Sequence, residues 1–467
     1  MNEKKNSESD YSTKKATLYS LAGFTDVVLF QFFTFLIFTF FYAVVGLNVN
    51  LITLAFIIWS IWNAINDPMM GALSDKTTSK WGRRKPFIIA GIYPLLIINI
   101  LLWTPPQTSQ LHIFLYFLII IILWEFFYTM WSLNQTSLFP EIFVDLEERV
   151  KANTIIQFFQ IISLIIAFVL PSLFIPKYDD PQYFSNYVLA GIVISIICFI
   201  SATIFIKFGI IEREEHSQDP LKAPSFLKSL NYTFKNKAFI TYIIGTFALW
   251  YTFGMLPTII PLYGSYVLGI DDSFLLSLLL AMAFLSAAGF VFLWRYIVRR
   301  VGAKTAFLLV IVSYIVTLSP FMFISSLFWA IISFLILGIG LSGALMIRDI
   351  TIGAIIDEDE LKNGVRREAG FYGINGFIIK LTNIFIYISI ALVFNTVGWT
   401  IFDPLGTTPE TIFGLRSLMF LFPTFFLSIG LVFMLFFPIN KEKYNEITQK
   451  SAELHSEKRE AFKRIKP

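Results

Sequence analysis

A chain of 467 residues that is 56% hydrophobic, 17% aromatic and only 15% charged is not an ordinary water-soluble protein, because soluble domains carry about 25% charged residues. Its formal net charge of +4 gives no reason to expect a nucleic-acid partner. A single cysteine, Cys198, excludes an intramolecular disulfide and a cysteine-based metal cluster, and the scattered His112, His216 and His455 add no metal site.

Crossing a hydrocarbon core of ~30 Å takes about 20 apolar helical residues. After a polar N-terminal tail, 1–16, such windows recur at 17–44, 49–74, 86–104, 113–138, 153–175 and 187–208, giving an N-terminal bundle over 17–208. A polar loop, 209–238, precedes six more at 239–267, 273–298, 304–325, 327–349, 370–396 and 412–438, giving a C-terminal bundle over 239–438, and a mixed-charge tail follows at 439–467. The pattern predicts an all-α membrane protein with twelve transmembrane helices in two six-helix bundles. The first window has no small-residue cleavage pattern and is expected to stay as a helix. With the N-terminus inside, 33 of the 36 Lys and Arg residues fall on one side. Basic residues favour the cytoplasmic side of short loops, so both termini are expected in the cytoplasm and the protein in the plasma membrane.

Asp26, Asp67, Glu125 and Lys380 lie near the middle of their spans, and Arg348 lies near the end of another. A charge in hydrocarbon costs at least ~2.5–3.5 kcal/mol on insertion scales, so such groups persist where they line a polar cavity or pair with one another. At ~1.5 Å per helical residue, Asp26, Asp67, Thr129 and Lys380 all sit near the midplane, where transporters built from repeats place their sites. Asn63 is one turn from Asp67. Pro68 cannot donate a hydrogen bond to the Ala64 carbonyl, which leaves an oxygen free near the carboxylate. Glu125 is one turn from Thr129, on a face that continues through Ser132 and Thr136.

The two halves carry matching loops. Gly71, Asp75 and Gly82-Arg83-Arg84 follow span 2, and Arg299-Arg300, Gly302 and Lys304 follow span 8. Pro140-Glu141 and Asp145 to Arg149 follow span 4, while Asp357 to Glu360 and Arg366-Arg367-Glu368 follow span 10. Gly71 permits close helix approach, and Asp75 is able to cap a facing helix and pair with Arg83 or Arg84. Gly71, Asp75, Gly82, Arg83, Arg84, Arg366 and Arg367 are therefore expected to form a cytoplasmic gate. The alternative is that the basic residues there only obey the charge rule for inner loops.

The spacing Gly71-x-x-x-Asp75-Lys76, then Gly82-Arg83-Arg84, marks the major facilitator superfamily. The stretch from Trp62 through Asn63, Asn66, Asp67 and Pro68 to Gly71, with Trp81 to Pro86, resembles the glycoside-pentoside-hexuronide:cation symporter family. Asp357 to Leu361, Gly364 to Glu368, and Lys380 agree with it. The resemblance implies the major facilitator fold, alternating access, and symport of a sugar or glycoside with a cation. It implies a cation site of helix-II positions with Thr129 and Lys380. Asp67, Thr129 and Lys380 match, but Asn63 stands where the family has a second acid. One carboxylate beside a lysine suffices to carry a proton, so H⁺ is favoured as coupling ion, with Na⁺ open because Glu125 is able to supply the missing charge. Asp26 matches an aspartate that holds sugar hydroxyls. Ser132, Thr136 and Gln157 stand where galactoside-binding members carry aspartate, tryptophan and arginine, which argues against a galactoside. Tyr372 and Lys380 complete the expected substrate site, and Trp250, Tyr251 and Tyr372 could stack on a sugar ring, although most aromatics in apolar spans face lipid or core.

No cofactor is expected beyond the coupling ion, and the partners implied are a small sugar or glycoside and the lipid bilayer, with a monomer as the family default. The sequence shows no nucleophile-base pair, metal-ligand spacing or cofactor loop, so no enzyme is expected. Asp67 and Lys380 as a purely structural ion pair, transport of lysolipids, and a non-transporting receptor or scaffold remain as alternatives.

Overall fold

The computed structural model describes residues 2–75, 77, 79, 81–143, 146–211, 232–364 and 367–465. No strand occurs among the described residues. A helix is the only single segment that satisfies every backbone N–H and C=O in lipid from within itself. The helices are α1 (Asn2–Thr39), α2 (Val49–Asp75), α3 (Lys85–Leu101), α4 (Gln110–Thr136), α5 (Leu146–Val169), α6 (Phe184–Phe208) and α7 (Lys237–Tyr266). They continue with α8 (Ser273–Leu318), α9 (Leu327–Asn363), α10 (Glu368–Lys380), α11 (Thr382–Thr396), α12 (Pro409–Met419), α13 (Leu421–Leu435) and α14 (Lys441–Ile465).

Ten segments among the described residues are long and apolar enough to cross a membrane. Two differences of segmentation relate them to the twelve windows. The windows at 273–298 and 304–325 are two helices that meet at a kink at Gly302, where φ 81° and ψ 169° leave the helical region, and α8 labels the pair. Glycine takes that conformation without a Cβ penalty. The window at 86–104 is the shorter α3, of 17 residues. Span 11 is not continuous: α10 stops at Lys380 and α11 starts at Thr382. The C-terminal tail forms α14.

The chain divides into two compact units, one of residues 1–223, 257–281 and 387–415, the other of residues 224–256, 282–386 and 416–467. In the first, α1 packs against α5 and α6, and α4 against α2 and α3. Gly91 lets α3 approach α4 closely, since an added Cβ would lie 2.8 Å from the Trp131 nitrogen and 3.0 Å from the Phe127 oxygen. Without a hydrophobic drive between helices in lipid, small residues that bring backbones together supply the packing. Aromatic rings fill the core: Phe33 stacks on Trp124 at 4.3 Å, and Trp103 on Tyr187 at 5.6 Å. In the second unit α14 lies along α9, and Lys443 Nζ reaches Glu358 Oε1 at 2.5 Å.

The first unit also joins the end of the N-terminal half opposite its basic loops to chain from the C-terminal half. Phe56 stacks flat on Tyr387 at 3.5 Å, the Val49 N–H donates to the Thr400 oxygen at 2.9 Å, and Asn50 and Asn395 exchange side-chain hydrogen bonds at 3.0 and 2.7 Å. The loop between α5 and α6 meets the loop between α7 and α8. Lys177 pairs with Asp271 at 2.7 Å, and Asp179 accepts from the Tyr266 hydroxyl at 2.8 Å and from Ser265 Oγ at 3.3 Å. In the sequence this seam shows only as the short acidic pairs Asp179-Asp180 and Asp271-Asp272.

Burial pushes the Asp179 carboxyl above its ordinary value of 3.8, against the Tyr266 hydroxyl and the Lys177 charge. The folded protein therefore holds a proton where the unfolded chain has lost it. Stability should fall as pH rises from 3.8 through the raised folded value. Asp179→Asn keeps an acceptor for Tyr266 and should flatten that part of the curve. Melting curves taken across the acid range test this, and an identical slope in the variant would remove Asp179 as its source.

Candidate ion and substrate site

α4 organises the site. From it Thr129 Oγ1 lies 3.0 Å from Asp67 Oδ1 on α2 and 3.3 Å from Glu125 Oε1 on its own helix, so its single proton is shared between the two acceptors. One hydroxyl thus serves two carboxylates, with Glu125 and Thr129 only 1% and 2% exposed. Asn66 fastens α2 to α4 by donating Nδ2 to the Glu125 carbonyl at 3.2 Å. Asn63 is buried on the same helix as Asp67, and Pro68 sits inside the helix as expected. Two carboxylates held by one hydroxyl would repel each other, and one monovalent cation between them would relieve that repulsion.

The same helix holds the predicted substrate carboxylate. Asp26 on α1 lies beside the Ser132 and Tyr128 hydroxyls of α4, with its Oδ1 buried and without a hydrogen-bond partner. Tyr128 also lies in the electrostatic reach of Glu125. Its ring is clamped between Trp124, parallel at 4.8 Å, and Phe30 at 5.5 Å. Asp26, Glu125 and Asp67 are therefore linked through side chains of one helix. Tyr128 was missing from the sequence expectation, although it lies on the Glu125, Thr129, Ser132 stripe that revealed the others.

Thr136 and Gln157 do not join this cluster. Thr136 is exposed and accepts from Gln135 Nε2 at 2.9 Å, and Gln157 is exposed on α5. In the second unit Lys380 ends α10, half-buried. The Leu381 N–H turns back to the Ile378 and Ile379 carbonyls, and Asn383 Nδ2 donates to the Lys380 carbonyl at 3.4 Å. The ammonium thus belongs to a helix C-terminus, whose dipole favours a cation. Broken helices of this kind are where transporters build sites. Tyr372 on α10 is 41% exposed, whereas Tyr251 is fully buried against Phe426, and Trp250 faces the Arg348 guanidinium at 5.2 Å.

Of the expected gate, Gly71 touches α4, where an added Cβ would stand 3.6 Å from Leu133. Gly82, at φ 98°, turns the loop into α3, with Ser79 Oγ donating to its oxygen at 2.7 Å. Arg84 is buried at the start of α3 and Arg83 half-buried beside it, and both are engaged by neighbours. Arg367 forks onto Asp359, donating Nε to Oδ2 at 2.7 Å and Nη2 to Oδ1, and lies over the Tyr232 ring at 4.1 Å. The Asp75 side chain and Arg366 fall outside the described residues. No group of three metal-binding side chains occurs among the described residues.

The family described as MFS/sugar transport protein matches residues 18–441. The chain belongs to this family. As an MFS/sugar transport protein it is a multi-pass membrane transporter, not an enzyme. It is 24% identical to an uncharacterized symporter of Synechocystis over 94% of this chain and 96% of the relative. It is 23% identical to a sodium-dependent lysophosphatidylcholine symporter of Gallus gallus over 85% and 81%, and 21% identical to an isoprimeverose transporter of Lactiplantibacillus pentosus over 78% and 76%. A solved nucleoside transporter shares the fold at a TM-score of 0.67 and 14% identity, covering 91% of this chain and 99% of its own. The major facilitator fold of this chain follows.

Proposed function

We propose that this protein is a secondary active transporter that couples entry of a sugar or glycoside to a monovalent cation by alternating access. The observation that carries the reading is the Thr129 hydroxyl shared by Asp67 and Glu125, on the same helix as Tyr128 and Ser132, which lie beside Asp26. Cation and substrate would then meet on a single helix. Binding of either would stiffen the face that receives the other, which is a physical route to coupling. The proton was favoured because Asn63 replaces an acid. Glu125 supplies a second carboxylate in the folded chain, so the pair carries the charge for one cation, Na⁺ or H⁺. Asp26, Ser132, Lys380 and Tyr372 are assigned to the substrate. Gly71, Asp75, Gly82, Arg83, Arg84, Arg366 and Arg367 are assigned to a gate at the basic end, taken as cytoplasmic together with both termini, in a monomer of the cell membrane.

A second reading, transport of a lysolipid, is favoured by the sodium-dependent lysophosphatidylcholine symporters among the relatives. Thermal stability of the purified protein with glycosides, pentosides, hexuronates and lysolipids, each in Na⁺ and in K⁺, separates the two. Ligand at ten times its Kd stabilises by about 1.4 kcal/mol. A shift with a sugar that Na⁺ enhances, and that Glu125→Gln makes indifferent to Na⁺, supports sodium symport. The same shift governed by pH alone supports the proton. Stabilisation by lysolipid only would overturn the sugar reading.

A further inference from the structure

A polar cavity of about 560 Å³ opens in the second unit, where α7 begins, α9 ends and α14 starts. Five basic and two acidic side chains line it, an excess of three positive charges. Both acids are already neutralised. Glu358 Oε1 is ion-paired with Lys362 Nζ at 3.0 Å and with Lys443 Nζ at 2.5 Å, and Asp359 accepts from Arg367 Nε through Oδ2 at 2.7 Å. Lys235 and Lys237, exposed at the rim, have no ion-pair partner among the described residues.

The start of α7 adds little of its own. Asn236 Oδ1 accepts from the Ala238 and Phe239 amides at 3.0 and 3.3 Å, so those donors are used. Attraction for an anion comes from the unpaired ammonium groups. Basic residues scattered over inner loops need no ligand, but here they converge on a concavity whose only carboxylates are taken. Two free ammoniums beside Lys362 and Lys443 match a compact group carrying one to two negative charges and several acceptor oxygens. A phosphate is such a group, and lysine binds it as a point charge.

We propose that this cavity binds a phosphate group, carried either by a soluble organic phosphate or by a lipid headgroup. The bound phosphate joins the first turn of α7 to the end of α9 and the start of α14. The inference stands apart from the ion and substrate site, since none of its lysines belongs there, and it shares only Arg367 with the proposed gate.

The test uses the full chain in detergent, with glycerol 3-phosphate as the soluble probe and short-chain phosphatidylglycerol as the lipid one. Sodium chloride at equal ionic strength and short-chain phosphatidylcholine are the controls. The wild type should melt higher with one of the two phosphates. The shift should be lost in Lys235→Gln with Lys237→Gln and kept in Lys450→Gln, a control outside the cavity whose exposed ammonium pairs with Glu446. A response to glycerol 3-phosphate assigns a soluble ligand, and a response to phosphatidylglycerol alone assigns a headgroup. No shift with either probe, or a shift that survives the double substitution, overturns the proposal.

Discussion

Replacing Asp67 with asparagine should abolish concentrative uptake while leaving the protein folded. The asparagine oxygen still accepts from Thr129 Oγ1, which now sits 3.0 Å from the carboxylate. The structural cost is the difference between a charge-assisted and a neutral hydrogen bond, ~1 kcal/mol. The functional cost is total. A hundredfold accumulation requires about 2.7 kcal/mol of driving free energy, which a symporter draws from the cation that moves with the substrate. With one of the two carboxylates neutral, Glu125 alone no longer presents the paired charge that a cation relieves. Downhill entry would persist and the accumulation ratio in proteoliposomes would settle at one. Full accumulation by Asp67→Asn would refute the coupling assignment, and loss of the purified protein from the membrane fraction would mean that Asp67 is structural instead.

Arg367→Gln is expected to destabilise the protein by about 3 kcal/mol. Asp359 is only 4% exposed, and its carboxylate receives both arms of the Arg367 fork. Removing one member of a buried pair strands the other charge, which costs ~3–5 kcal/mol; the partial exposure of Arg367, 25% of its side chain, places the loss at the lower edge. The guanidinium also forfeits its place over Tyr232. Arg367→Lys should recover part of the loss, because an ammonium supplies the charge without the planar two-pronged geometry. Asp359→Asn combined with Arg367→Gln should recover more, since no charge is then left stranded. Thermal midpoints of the four proteins check the order. Equal midpoints for wild type and Arg367→Gln would mean that the pair is a solvated contact without energetic weight.

Much of the site was legible in the chain because hydrocarbon is intolerant of charge. Asp26, Asp67, Glu125 and Lys380 stood out against apolar neighbours, and helical spacing alone set Glu125, Thr129 and Ser132 on one stripe. Sequence distance hid the rest. Thr129 and Asp67 belong to different helices, and nothing local says that one hydroxyl is shared by two acids. Tyr128 reads as one more aromatic until its hydroxyl is seen at Asp26. Thr136 and Gln157 are expected from the resemblance, and the fold leaves them exposed, with Thr136 the last residue of α4 and bonded to Gln135.

The break after Lys380 was also silent, since neither glycine nor proline marks it. The turn is held by the Leu381 N–H reaching back to Ile378 and Ile379 and by Thr382 Oγ1 donating to the Ile379 carbonyl at 2.6 Å. The seam of Lys177, Asp179, Tyr266 and Asp271 was similarly unreadable, as polar residues in short loops look solvated until another loop covers them. By itself the sequence determined the helices that cross the membrane and the charges kept inside them, because burial of apolar length and exclusion of bare charge are local demands of lipid. Only the tertiary structure decided which carboxylate shares which hydroxyl, where a helix breaks and which loops close on each other, because those depend on side chains that meet through space from distant parts of the chain.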